Sequence, residues 1–334
     1  MRPLQVKPQR SQLHHRPKFD GTMKITSLYR KSTALVLGVA LTMSACKKDN
    51  DTNVNDEEAT IALEQSGDET MSSHEFEDLT ADVEQLITTG PLAGGRIGRD
   101  MCGVTLDSSI SNRTYTITFD SGMACSGRTR SGTVVVTLYN ATRWREQNAV
   151  LGIQFNNVKV KRIADNRAVE IDGLTKIYNV SGGLVSQLYA DPSTQIVRRI
   201  RTAALRSKNN GTTFQSWNEA KTRTWTLIGN EILRLTVTGD TSLTLNDLAN
   251  VSAWGQSRRN QDYVTRITVP IVRNSNCSNN AASGNKVHTV KNKQVNVLFG
   301  VNDQGQPQTT GCPYGALVTW TNKGGNSQTR VVAY

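Results

Sequence analysis

From about Arg96 to the last residue, apolar or aromatic side chains alternate with polar ones at a period of two. An extended strand with one buried face requires that period, and a helix cannot satisfy it. In "RTYTITFD", Tyr115, Ile117 and Phe119 fall on one side and Thr114, Thr116 and Thr118 on the other. "KTRTWTLI" alternates Arg223, Trp225 and Leu227 against Thr222, Thr224 and Thr226, and "YVTRITVPIV", "QVNVLF", "ALVTWT" and "RVVAY" continue the habit. Turn clusters such as "DSG", "NNG", "TGD", "NDQGQP" and "NKGGNS" separate these runs. The pattern predicts about 10 to 14 strands in one all-β domain, residues 91–334, paired antiparallel as a sandwich or a strongly curved meander. "TAALRSKN" is the one weak helical candidate after residue 90. Pro270, inside "RITVPIV", is expected at an edge or a bulge, because it cannot donate to the ladder.

Charge divides the chain at the start of that domain. Residues 46–90 hold two lysines and thirteen Asp/Glu, whereas residues 91–334 hold 29 Lys/Arg and 14 Asp/Glu. The acidic stretch reads as a solvated, disordered tether, too polar to bury a core of its own. Within it, Ser72 or Ser73 can cap one short amphipathic helix. Phe76, Leu79, Val83 and Leu86 follow at helical spacing, and Gly90 is a stop. The opposed charges let this segment fold back onto a basic face, so removing residues 47–90 is expected to tighten binding of a polyanion.

Ahead of the tether stands a targeting pattern. Lys24, Arg30 and Lys31 form a basic region, and "TALVLGVALTM" follows as eleven mostly apolar residues. That run is shorter than the roughly 18 to 20 residues a membrane-spanning helix needs. It ends in "MSAC", which resembles the lipobox of bacterial lipoproteins, with Met43 where leucine is usual. The resemblance implies a signal peptide over residues 23–45, with Cys46 lipidated and left as the new N-terminus. Residues 1–22 have no apolar pattern and are expected to precede the true start at Met23. "CKKDN" resembles the first residues of Bacteroidota lipoproteins and implies an outer-membrane, surface-facing anchor.

Cys102, Cys125, Cys277 and Cys312 remain, an even number in an exported domain, which argues for disulfides. Of the three pairings, Cys102–Cys125 and Cys277–Cys312 are favoured, because each pair flanks a candidate hairpin. At "TYTITFDSGMACSGRTRSGTVVVT", with "KTRTW" further on, the chain resembles an uncharacterised group of Bacteroidota lipoproteins. "GCPYG" departs from the pattern of that group. The resemblance implies an address and a fold, and supplies no catalytic residue.

Motifs for chemistry are few. Downstream of Cys46 the histidines are His74 and His288, and no HExxH, G-x-S-x-G or phosphate-cradling glycine loop occurs. His288 reads as a solvated strand residue. With no C-x-x-C and so few histidines, neither a metal nor a cofactor is expected. Glu170 and Asp172 share one strand face and are the best local carboxylate pair for glycoside hydrolysis. Aromatic and basic residues recur together around Trp144, around Trp217 and Trp225, and around Trp254 with Arg258 and Arg259. With Arg128 and Arg130 they suggest a face for an anionic glycan, the competing reading being that the tryptophans are core. The expectation is a non-catalytic surface lipoprotein, structural or a binding module, with an anionic polysaccharide or another surface protein as partner and no nucleic acid. The alternative is a surface hydrolase of glycans using an Asp/Glu pair.

Overall fold

The computed structural model describes residues 57–89, 102–109, 113–125, 127–229, 231–240, 250–278, 280–322 and 324–334. Cys46, the apolar run before it and residues 1–22 lie outside them. One long helix, α1, runs over Glu57–Thr89. The strands are β1 Val104–Ser109, β2 Thr114–Phe119, β3 Ala124–Cys125, β4 Arg128–Tyr139 and β5 Ala149–Arg162. They continue as β6 Ala168–Asn179, β7 Ile196–Asn209, β8 Gln215–Ile228, β9 Ile232–Gly239 and β10 Val251–Gln256. The last five are β11 Asp262–Asn274, β12 Ala281–Val290, β13 Lys293–Val301, β14 Gly315–Thr321 and β15 Ser327–Ala333.

All fifteen strands belong to one antiparallel sheet that follows chain order from β1 to β15, so the curved meander is the observed alternative. Two details raise the number of strands above the expected range. β3 is a two-residue strand that pairs with the end of β4. β9 and β10 lie end to end in a single slot: β8 pairs with β10 through Ser216–Glu219 and with β9 through Lys221–Ile228, and β11 pairs with both. "TAALRSKN" is strand, the second half of β7, because its neighbours on β6 and β8 supply ladder partners that an isolated helical turn would lack.

A row of bulges creases the sheet. Register shifts occur at Ser131/Thr133, Phe155/Val158, Asp172/Leu174 and Thr202/Leu205, at one level across four successive strand pairs. Each extra residue bends its strand and increases the local twist. Gly132 sits in this crease with φ +98°, and a Cβ there would meet the Asn157 carbonyl oxygen at 2.4 Å. A second crease crosses β11 to β14, where Pro270 falls in a bulge between Val269 and Val272, as its missing donor required.

The creased sheet wraps α1, and this corrects the reading of residues 46–90 as a solvated tether with a short helix. The helix has 33 residues and begins fifteen or more before the expected cap at Ser72 or Ser73. Phe76, Leu79, Val83, Leu86 and Ile87 are buried in the main core with Tyr115, Ile117, Val136, Ile153 and Phe155. Ile61 and Ala62, a turn from the other end, pack against Tyr263, Val290, Val295 and Val297. The segment is too polar to fold alone, but the sheet supplies what it lacks. A domain consisting of residues 91–334 alone would expose that core.

The bridges Cys102–Cys125 and Cys277–Cys312 are both formed, and each encloses one hairpin, β1–β2 and β12–β13 respectively. Two outcomes follow from this packing. Peptide mapping without reductant should recover those two pairs, and each bridge should contribute about 3 to 4 kcal/mol through loop closure. Phe76 is fully buried against the rings of Phe155 and Trp217, at 5.6 and 5.2 Å between centroids. Phe76→Ala should therefore cost about 3 to 5 kcal/mol in denaturant unfolding. A solvated helix would lose almost nothing.

Candidate functional site

α1 carries ten Asp/Glu and no Lys or Arg. Eight of those carboxylates meet cations of the sheet. Near the start of the helix, Glu64 accepts from Arg259 at 2.7 Å and lies 3.3 Å from Arg258, while Asp68 is 3.2 Å from Arg258. Glu75 and Asp78 both lie 2.8 Å from Arg128, and Asp82 lies 2.6 Å from Arg130. Glu84 pairs with Arg198, a fully buried guanidinium 5.1 Å from the ring centres of both Trp144 and Trp225. In the middle, Glu69 accepts from Lys286 at 2.6 Å, and Glu77 is shared by Arg273, Lys221 and Arg223 at 2.8, 3.5 and 3.6 Å.

This settles where four expected ligand-binding arginines lie. Arg128, Arg130, Arg258 and Arg259 do not form an open face, because the chain's own helix already supplies their anions. Trp144 and Trp217 are core residues, each 1% exposed. Trp225 and Trp254 are half-buried, in β8 and β10. Glu170 and Asp172 lie on the face of β6 away from the core and are matched across the ladder by Lys208 and Arg206, at 3.2 and 2.8 Å. Strand alternation produced that pair, and no cleft separates the two groups from their cations.

His288 is the clearest correction. It is fully buried, with Nδ1 2.9 Å from the Thr265 hydroxyl and Nε2 3.8 Å from Glu69. It shares strand parity with Val290, a core residue, and Lys286 shares it too. That parity was the signal to read: a charged residue at a buried register position announces a buried partner. Around it stand Glu69 and Gln65 from α1, Lys221 and Glu219 from β8, and Tyr263 from β11. Burial pushes the imidazole down to about 3, with the Glu69 charge opposing and Lys286 assisting. Burial alone would raise Glu69, but Lys286 and its neighbours outweigh it and hold that carboxyl at about 2. Glu77 is likewise held well below the usual carboxylate range, burial being overcome by Arg273, Lys221 and Arg223.

Beside this polar centre the sheet and the helix part. They leave a cavity of about 580 Å³ between α1 and the strands β9 and β11 to β15, with the β5–β6 turn at its rim. Ile267, Ile271, Val297, Phe299, Val318 and Trp320 line one side. Arg273, Lys221, Lys286, Glu77 and Arg330 give it a polar margin. On the helix, Leu63, Met71 and His74 face it together with the small residues Ser66, Gly67, Thr70 and Ser73, and a Cβ added at Gly67 would have no heavy atom within 4 Å. The sequence marked the apolar ones on the sheet as strand residues and Ser73 as a cap, and none of them as part of a site. The cavity arises where small residues of α1 cross the sheet, and only the register of helix on sheet reveals that.

The buried histidine makes stability depend on pH in a defined direction. His288 binds a proton at about 6.5 when unfolded and about 3 when folded, so the unfolded state holds more protons in between. Its contribution is present above pH 6.5 and declines by up to about 1.4 kcal/mol per unit as pH falls toward 3. Glu69 adds a second decline between about 4.5 and 2. His288→Gln should flatten the upper part of a plot of unfolding free energy against pH, between 6.5 and 4.5. An unchanged slope there would mean that the imidazole titrates normally in the fold. In addition, Arg128→Ala should cost about 3 kcal/mol rather than nothing, because it leaves the buried Glu75 carboxylate to Arg162 at 3.9 Å.

Comparison with protein-family models, with curated proteins and with solved structures finds no match to this chain.

Proposed function

We propose that this chain is a non-catalytic, lipid-anchored surface protein that works as a binding module. The observation that carries the reading is the cavity between α1 and the C-terminal strands. Its volume of about 580 Å³ is within the range of ~300 to 1,000 Å³ that ligand pockets occupy. Catalysis is disfavoured by the chemistry of its lining. Glu77 is its one carboxylate, and three cations keep it ionised, so it is a poor proton donor near neutral pH. A hydrolase of glycans needs a second carboxyl group at about 5 to 9 Å with a pKa pushed apart from the first. The best pair in the sequence, Glu170 and Asp172, is neutralised outside the cavity.

The anchor rests on the "MSAC" and "CKKDN" stretches, whose resemblance to Bacteroidota lipoproteins favours the outer membrane and its outward leaflet. Ten residues separate Cys46 from the first residue of α1, a reach of at most ~35 Å when fully extended. A lipid on Cys46 would therefore hold the domain close to the membrane surface. A polyanion bound at Arg128, Arg130, Arg258 and Arg259 would have to displace α1, which argues against an acidic polysaccharide at those residues. In cells of a lipoprotein-processing bacterium, Cys46→Ser should abolish acyl labelling and move the protein to the soluble fraction, since two or more acyl chains are what hold such an anchor. Unchanged retention on membranes would overturn the anchor.

A further inference from the structure

We infer that the cavity is a site for a long-chain carboxylate, with the acyl chain against the aliphatic wall and the head group at the arginines of the margin. This deepens the binding-module reading and rests on it. The lining has two halves, one apolar and one polar. Ile267, Ile271, Val297, Phe299 and Val318 offer no hydrogen bonds to a sugar and Trp320 only its indole N–H, so most of a sugar's hydroxyls would lose their water without replacement. Such a wall favours an apolar chain.

The polar half favours a chain with an anionic end over a neutral one. Six Lys/Arg line the cavity against the single carboxylate of Glu77. Carboxylates just outside the lining match most of these cations: Glu69 meets Lys286, Glu219 meets Lys221, and Glu75 and Asp165 meet Arg162 and Arg167. The cations left to a ligand are Arg273, which shares Glu77, and Arg330. Arg273 keeps one donor, Nε, without a hydrogen-bond partner. Arg330, exposed on β15, has no carboxylate partner among the described residues. A guanidinium suits a carboxylate head because its parallel N–H groups match the two oxygens. An extended polyanion is too bulky for a pocket of about 580 Å³, and a short acid would leave the aliphatic wall wet.

α1 itself makes the room. Where it crosses the cavity the small residues Ser66, Gly67, Thr70 and Ser73 stand among Leu63, Met71 and His74, whereas Ile61 and Phe76 on either side fill the sheet. Gly67 is therefore a position from which the space can be closed without strain: it is helical, no atom blocks a Cβ, and glycine is the poorest helix former apart from proline.

The test uses the full chain carrying Cys46→Ser and isothermal titration with dodecanoate, dodecanol and acetate, each below its aggregation threshold. Dodecanoate should bind, dodecanol at least tenfold more weakly, and acetate not at all. Arg330→Gln should weaken dodecanoate about tenfold while leaving dodecanol unchanged. Gly67→Trp should abolish binding of both amphiphiles while the melting temperature stays level or rises, which separates a blocked site from a lost fold. The inference is overturned if neither amphiphile binds. It is equally overturned if acid and alcohol bind alike, or if Gly67→Trp leaves binding intact. These results are independent of the anchor, which stands or falls on the partition of the serine variant between membrane and soluble fractions.

Discussion

The structure depends on a match of charge between one helix and the sheet around it. α1 presents eight carboxylates to cations on β4, β5, β7, β8, β11 and β12 and on the turn between β10 and β11. Taking such groups out of water costs several kcal/mol per ion, and their attraction offsets this only when the geometry is good. The pairs therefore act more on placement than on net stability. Sliding α1 by one turn would part Glu69 from Lys286 and Glu77 from Arg273, breaking buried pairs. The apolar anchors at Ile61 and at Phe76 to Ile87 hold the two ends, and the ion pairs fix the register between them.

That division of labour explains why the cavity lies where it does. A helix fixed mainly by apolar packing would carry large side chains along its whole inner face. Here the middle is fixed by Glu69 and Glu77 reaching to Lys286, Arg273 and Lys221, so Ser66, Gly67, Thr70 and Ser73 can remain small. The space they leave is bounded by apolar strands on one side and by the cations that serve the helix on the other. A basic margin beside an apolar wall is thus a by-product of how the helix is seated, and it is also what an amphipathic anion would recognise.

Much of the sheet could be read from the sequence, because a period of two is a local property. Tyr115, Ile117 and Phe119 are buried as their alternation implied, and Pro270 is at a bulge. The disulfide pairs were legible because each flanks one hairpin. α1 was not, for a physical reason. Its polar residues surround the axis, so no single apolar stripe marks it, and its burial depends on cations more than fifty residues away, such as Arg128 opposite Glu75. The charge contrast between the two segments pointed to their association, but it could not say which carboxylate meets which base. His288 was misjudged by residue type, although its parity with Val290 placed it inward.

Native-state hydrogen exchange along α1 tests the account most directly. Amides open locally with low free energies in a solvated segment and only with global unfolding in a core element. If the helix is seated by its ion pairs, the amides of Phe76 to Val83 should exchange only with global unfolding, as slowly as those of β5, and those around Glu69 should be nearly as slow. Exchange of the whole helix at a fraction of the global free energy, with the sheet still protected, would contradict the central claim and return α1 to the status of a tether.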